Sequence, residues 1–321
     1  MENRKSNIEA LIGMLDESDM QIYDSLRQAL LDMGEEVLPY LEKARSAKKE
    51  PLWENRIEAL IRETQMRELC KELKTWQENP DQDLMRGYFL ISKAFYPYLD
   101  WEEVMEKVNK MASDLWMELK PDMTALERMH VLNLFFFNRC KFFLATKNTE
   151  GYVFSDFFLP NLLNLHQGND RSLSLLYQYL AFRNQIPVYL LNLPIVNLLV
   201  YTKDMDHREN DDIIFFIDLI QHGNLIRKSE VPPFFDEGEQ VHVCSNAEIL
   251  KNYMDLLSVM VEGNERAPFK FSIIKELRTA LGSEGNPWDR VGVNLDKIVG
   301  EDEDEDTDED QDPDEDGDYD H

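Results

Sequence analysis

The sequence predicts an α+β fold: mainly helical N-terminal layers, then a buried helix packed on a small antiparallel sheet, then C-terminal helices and a disordered acidic tail. Three observations carry this. Apolar residues recur at helical spacing through most of the first 145 positions. From Ser172 to Arg183 the chain is apolar on nearly every side, which suits a helix only when protein surrounds it. Beyond Gln185 short Ile/Val/Tyr/Leu runs alternate with polar turns, the patterning of strands. With 321 residues, 43% of them hydrophobic and 11% aromatic, the chain can bury a core in two or three units.

The elements follow in order. Ile8, Leu11, Ile12 and Leu15 mark one amphipathic helix, an Asp-Glu-Ser-Asp turn follows, and Ile22, Leu26, Ala29 and Leu30 mark a second. Gly34 breaks it, and Val37, Leu38 and Leu41 begin a short third helix. The pattern resembles one HEAT-type repeat, with a poorer second copy expected from Leu52 through Ile57, Leu60 and Ile61. Such units need a neighbour to bury their faces, so this segment is expected to cap the next one. Helix continues from Met66 to Trp76, Asn79 to Asp83 form a turn, and Leu84 to Ala94 is helical until Pro97. Asp100 caps a helix from Trp101 to Leu119, and Thr124 with Glu127 forms a capping box opening the next. That helix runs into VLNLFFFNRCKFF, read as core rather than as a membrane surface.

Residues 148 to 166 lead into Gly168 and the central helix. Val188 to Leu191, Leu190 to Tyr201 and Ile213 to Asp218 read as strands, with a polar hairpin at residues 203–211 and a turn at His222-Gly223-Asn224. A two-proline loop follows at Val231 to Gln240. Asn246 opens a helix to Val261, capped by Asn246 or Ser245, and Pro268 to Leu281 carries another. Periodicity is lost from Gly282, and from Gly300 apolar groups are too few to offset the entropy of ordering.

The central stretch carries a resemblance. Gly168, Ser172 to Tyr177, Ala181, Arg183, Ile186, Pro187, Asn192 to Pro194 and Phe216 to Asp218 match, in order, a motif reading G-x-P-[IV]-[ST]-L-S-L-L-Y, A-x-R-x-x-[IL]-P, N-L-P-G-H-F and a strand ending I-D. On these residues the segment resembles the bacterial transglutaminase-like core family, in particular its SirB-type branch. The resemblance implies a papain-like core at residues 146–245; with the patterning above, the expected division is residues 1–66 a HEAT-like segment, 67–145 a helical region, 146–245 the transglutaminase-like core, 246–299 C-terminal helices, and 300–321 the tail.

It also implies where chemistry would sit, and there this chain departs from the pattern. Active transglutaminases place a Cys two residues after the Gly, at the head of the core helix, where helix N–H groups favour a thiolate. That position is Asp170, which suits an N-cap but is no acyl acceptor. The family's His position is Val196, which moves no proton. Asp218 matches the Asp that orients the His. A comparable triad loses on the order of a millionfold in rate with either chemical partner gone. The expectation is a vestigial triad, Asp170, Val196 and Asp218, with no catalytic, cofactor-binding or metal-binding residue.

Other chemistry is thinly signalled. Cys70, Cys140 and Cys244 lie far apart, without zinc-ribbon or disulfide-framework spacing. His242 and Cys244 would share one face of a strand, and they ground the alternative of a cysteine-dependent acyl transferase or peptidase with relocated residues. The resemblance places neither near the core-helix head. His166, just before the Gly turn, reads as a loop residue, and the six histidines have no metal-binding spacing.

Formal charge is −29, and residues 301–320 hold 15 acidic and no basic residues, so the remainder still carries −14. Phosphate backbones are repelled by both parts, which excludes nucleic acid as a natural partner and favours a protein partner, basic by preference. Asp312, Asp314, Asp316 and Gly317 copy the start of a calcium loop whose closing Glu is missing. No apolar run spans a bilayer and the amphipathic start does not read as a signal peptide, so the expected compartment is the cytoplasm. A non-catalytic transglutaminase-like scaffold is expected; a chaperone-like or nucleic-acid-mimicking role through the tail is a further alternative.

Overall fold

The computed structural model describes residues 2–46, 50–146, 153–191, 197–206, 209–230, 242–262, 268–283 and 285–287. Its first layer is α1 (Glu2–Gly13), α2 (Met20–Asp32), a 3-10 turn at Gly34–Val37 and α3 (Leu38–Arg45). The acidic turn works through Asp19, whose Oδ1 accepts the Gln21 and Ile22 N–H groups at 2.8 and 3.4 Å and so starts α2. Arg56 secures the same turn from beneath. It donates to the Leu15 and Glu17 carbonyls at 2.8 and 2.6 Å, with its guanidinium 4.0 Å from the centre of the Tyr23 ring.

Arg56 belongs to α4 (Pro51–Glu78), a single continuous helix of 28 residues. The expected second repeat is therefore not a helix pair, because nothing between Leu52 and Trp76 breaks the helix and Pro51 sits at its first position, where a proline is harmless. Along α4 the burial partners change. Trp53, Ile57, Leu60 and Ile61 pack with Ile8, Leu30 and Leu41, whereas Leu69, Leu73 and Trp76 belong to the main core that continues to Leu281.

The main core is assembled from α5 (Leu84–Phe95), α6 (Trp101–Trp116), α7 (Ala125–Asn133), α8 (Leu159–Leu165), α9 (Asp170–Arg183), α10 (Asn246–Val261) and α11 (Pro268–Ala280). Local capping explains most of the starts. Asp83 and Asp100 each accept an N–H three residues on, and Thr124 with Glu127 and Ser245 with Glu248 form capping boxes. The aromatic run after α7 is a π-helical turn, Leu134–Arg139, with Phe135 and Phe136 buried in the core. Every residue of α9 from Ser172 to Ala181 is buried, so this helix is the axis of the unit.

Against α9 lies a four-stranded antiparallel meander, β3 (Val188–Leu190), β4 (Leu199–Thr202), β5 (Ile213–Asp218) and β6 (Asn224–Arg227). Leu199 pairs with Ile217 and Tyr201 with Phe215. Side-chain alternation divides the sheet: Val188, Leu190, Leu199, Tyr201, Phe215 and Ile217 join the core with α9, while Tyr189, Val200 and Phe216 pack in a separate cluster. The run read as one strand from Leu190 to Tyr201 is two, β3 and β4, with residues 192–196 outside the described set. Two further pieces were not expected. β6 is a short edge strand with little apolar patterning, and β1 (Phe143–Leu144) with β2 (Gln167–Gly168) forms a two-residue parallel pair beside the entry to α9. The loop at Val231 to Gln240 and the acidic tail fall outside the described residues.

Candidate functional site

The head of α9 is built by close packing around Gly168. A Cβ there would lie 2.4 Å from Ser172 Oγ and 3.1 Å from Leu162 Cδ1, so only glycine lets the chain pass under the first turn. The N-cap is Asn169, whose Oδ1 accepts the Ser172 N–H at 2.7 Å. This corrects the expectation that Asp170 fits the cap. Asp170 is instead the first helical residue, partly exposed, with its carboxylate at the positive end of the helix dipole. Its backbone carbonyl accepts from Ser174 Oγ at 2.8 Å and from Asn197 Nδ2 at 2.7 Å.

Val196 lies outside the described residues, but its neighbour Asn197 is buried and also donates to Ser174 Oγ at 2.6 Å, which brings the start of β4 to the helix head. Asp218 ends β5, one step past the Leu199–Ile217 pair. Ile217 faces α9, so alternation turns Asp218 the other way. Its carboxylate accepts the N–H groups of Ile220 and Gln221 at 2.9 and 3.3 Å, closing the turn into β6. That turn is pinned by Asn133, which donates to the Gly223 carbonyl at 2.8 Å and accepts from the buried Tyr177 hydroxyl at 2.5 Å. At Gly223, with φ +75°, a Cβ would lie 2.1 Å from Asn133.

A buried polar layer under the helix head was not legible in the sequence. Asp156, 1% exposed, accepts from Gln167 Nε2 and Asn161 Nδ2 at 3.1 and 3.3 Å through one carboxylate oxygen. Its carbonyl takes the Ser172 hydroxyl at 2.9 Å and the Asn169 N–H at 3.2 Å. The hydroxyls of Tyr88 and Tyr253 both donate to the next carbonyl, that of Phe157. Burial pushes both tyrosines well above their ordinary range. The only hint was an acid standing alone in the aromatic run YVFSDFFLP. Among the described residues, Asp156 Oδ2, Asn169 Nδ2 and Asn197 Oδ1 are buried there without a hydrogen-bond partner.

The sulfurs are arranged differently. Cys244 is buried and lines a small cavity with Arg171, the second residue of α9, so it does approach the helix head, against expectation. What brings it there is an antiparallel bridge, with the Cys244 N–H donating to the Leu190 carbonyl at 2.9 Å. His242, half-exposed, has Nε2 3.0 Å from Glu248 Oε1. Burial drives the Cys244 thiol up to about 12, Glu248 adding to the rise and Arg171 opposing it. Burial also raises Cys70 and Cys140 to about 11. His166 Nδ1 lies 2.6 Å from the Cys140 carbonyl, and its ring packs by Phe142. All three thiols are thus protonated at neutral pH, the inert form. Among the described residues no three acid, His or Cys side chains converge as a metal site, and no helix is long and apolar enough to cross a membrane.

A wider concavity lies elsewhere. A groove of about 1160 Å³ runs between α4, the C-terminal end of α5 and the start of α11. Phe95, Tyr96, Phe154 and Phe269 supply aromatic surface, with Phe269 62% exposed. Arg62, Arg67, Lys93 and Lys270 alternate there with Glu35, Glu68, Glu72 and Glu276.

Comparison with known proteins gives one match: residues 102–256, just under half of the chain, fit the family model described as the transglutaminase-like superfamily. The matched span runs from α6 into α10 and contains α9 and the whole meander. No curated protein and no solved structure matches the chain significantly.

Proposed function

We propose that this chain is a non-catalytic protein with a transglutaminase-like domain, of the SirB type, in which the fold serves to bind another protein. What supports the reading is the head of α9: Asp170, its first residue, falls by the register of the quoted motif at the position that the resemblance gives to the thiol of the active enzymes. Around it, Asn197 holds the backbone of the first helical turn, and Asp218 is spent on closing its own turn. A carboxylate cannot replace a thiolate as acyl acceptor at neutral pH. The binding surface we assign is the groove between α4, α5 and α11, whose mixed charges and exposed aromatic rim suit a peptide segment better than a small compact ligand.

The competing reading is a cysteine hydrolase or acyl transferase using Cys244 and His242. In its favour, Cys244 lies within reach of the α9 head. Against it stand a thiol raised to about 12 and an imidazole engaged with Glu248. Incubation of the full chain with a fluorescent primary amine and a glutamine peptide, alongside a thiol-directed activity probe, decides between them. The expected result is no amine incorporation and no preferentially labelled Cys. Labelling at Cys244 alone, blocked by the glutamine peptide and lost in H242A, would overturn the scaffold reading. Protein recovered from native cells with the wild type and lost with Phe269→Asp is the positive sign of the groove.

A further inference from the structure

Ion pairing leaves the groove between α4, α5 and α11 with a surplus of cations. Of the acids on its walls, Glu63 is held by Arg27 and Arg67, Glu68 by Lys71 and Glu72 by Arg86. Glu35 and Glu276 remain. Against them stand Arg62, Lys93 and Lys270, with which no carboxylate pairs among the described residues. The ammonium of Lys270 lies 4.1 Å from the centre of the Phe154 ring, and that of Lys93 lies 5.5 Å from the centre of Phe89. A ring face attracts an ammonium but brings no negative charge to neutralise it. Phe269 and Val153, 62% and 49% exposed, add bare apolar surface to the same walls. The groove therefore suits a peptide whose aliphatic residues are followed by carboxylates.

This chain carries such a peptide. Ile298 and Val299 are followed, after Gly300, by Glu301, Asp302, Glu303 and Asp304. The described residues stop short of it at 287, and their last stretch is tied to α10 and α11: Ser283 Oγ donates to Asp255 and Arg278 to the Gly285 carbonyl, each at 3.0 Å. The eleven residues from Pro287 to Ile298 reach about 36 Å when extended. Phe269 precedes Arg278 by nine residues on α11, about 14 Å along its axis. The peptide can thus lie back along the groove with chain to spare. An outside peptide of the same composition is repelled by a net charge of −29, whereas a tethered one is present at an effective concentration in the millimolar range. We propose that residues 295–304 occupy the groove in cis, Ile298 and Val299 against Phe269 and Val153 and the acids that follow against Lys93 and Lys270, so that an outside protein binds there only by displacing them. The inference rests on the reading of the groove as a peptide site.

Hydrogen exchange of the full-length protein, followed by mass spectrometry on fragments covering residues 288–305, tests it. With a millimolar effective concentration and a local affinity of about 0.1 mM, the amides of residues 295–304 are expected to exchange about tenfold more slowly than in an unstructured chain. The slowing should not depend on protein concentration and should shrink severalfold in about 0.5 M sodium chloride. Lys93→Glu with Lys270→Glu, and separately Phe269→Asp, should abolish it. Changing Glu301, Asp302, Glu303 and Asp304 to Lys in the K93E/K270E protein should restore it. Exchange within α9 reports in the same experiment that each variant is folded, and should K93E/K270E not fold, F269D and the salt dependence still decide. No slowing in the wild type, slowing that survives in the folded variants, or slowing that fades on dilution, as a second copy's segment would give, overturns the proposal. An unslowed wild type whose outside partner is still lost in F269D removes the cis occupant and leaves the groove as a peptide site; one whose partner recovery ignores F269D removes both.

Discussion

The three cysteines show how burial, rather than sequence spacing, sets reactivity. Desolvation holds Cys244 at about 12 and Cys70 and Cys140 at about 11. An unfolded thiol titrates near 8.5. Between that value and the raised ones the folded chain keeps protons that the unfolded chain has released, so stability falls as pH rises. Below about pH 8 both states hold the protons, and the thiols contribute no pH dependence. Buried Tyr88, Tyr177 and Tyr253, also raised by desolvation, act in the same sense at higher pH. The urea midpoint is therefore expected to be insensitive to these groups from pH 7 to 8 and to decline above about 9, with Cys244→Ala flattening part of the decline. A C244A midpoint that follows the wild type at every pH would show Cys244 to be solvated in the folded state. The residue types were legible in the sequence but their surroundings were not. Cys244 reaches Arg171 only through the bridge between Leu191 and Val243, a contact across more than fifty positions.

Among the elements, what was legible is what local chemistry decides. Asp100, and the Thr124 and Ser245 capping boxes, act over three residues, so the caps at 100 and 124 could be assigned and the one at 245 narrowed to two. The buried helix was legible because a helix without a polar face has nowhere else to go. Its first residue was read two places late, Ser172 for Asp170, and its cap one place late, because Asn169 and Asp170 are both good caps. Tertiary bonds choose between them: Ser172 Oγ to the Asp156 carbonyl on one side, and Asn197 to the Asp170 carbonyl on the other. β6 escaped notice because an edge strand of four residues carries too little alternation. The tight packing at Gly168 gives this scale its prediction. In Gly168→Ala the new methyl meets Ser172 Oγ and Leu162, and the helix must shift or turn its Ser172 hydroxyl off Asp156. A loss of about 1–3 kcal/mol is expected in chemical denaturation. A change under about 0.5 kcal/mol would mean that the α9 head is loosely packed.

For the molecule as a whole, α4 is the element that joins the N-terminal cluster to the main core. The first closes with Ile61 and the main core takes over at Leu69, so the passage occupies two turns that include the buried Thr64. The sequence showed helical rhythm on both sides of residue 66 but not that the helix is unbroken, since two short helices and one long one share the same apolar spacing. Continuity has a mechanical consequence: a 28-residue helix is rigid enough to fix the N-terminal layer against α5 and α11 and so to set the width of the groove. Gln65→Pro tests this at a partly exposed position of that passage. It removes one helical hydrogen bond and clashes with the preceding turn, costing about 3 kcal/mol or more. If α4 is the main coupling between the clusters, the wild type should melt in one calorimetric transition and Q65P in two, the lower belonging to the cluster of Ile8, Leu30 and Trp53. Protease should then cut near residue 65 while the piece carrying α9 survives. A Q65P that is merely destabilised, still melting once and resisting cleavage there, would mean that contacts across the groove hold the two clusters together without the helix.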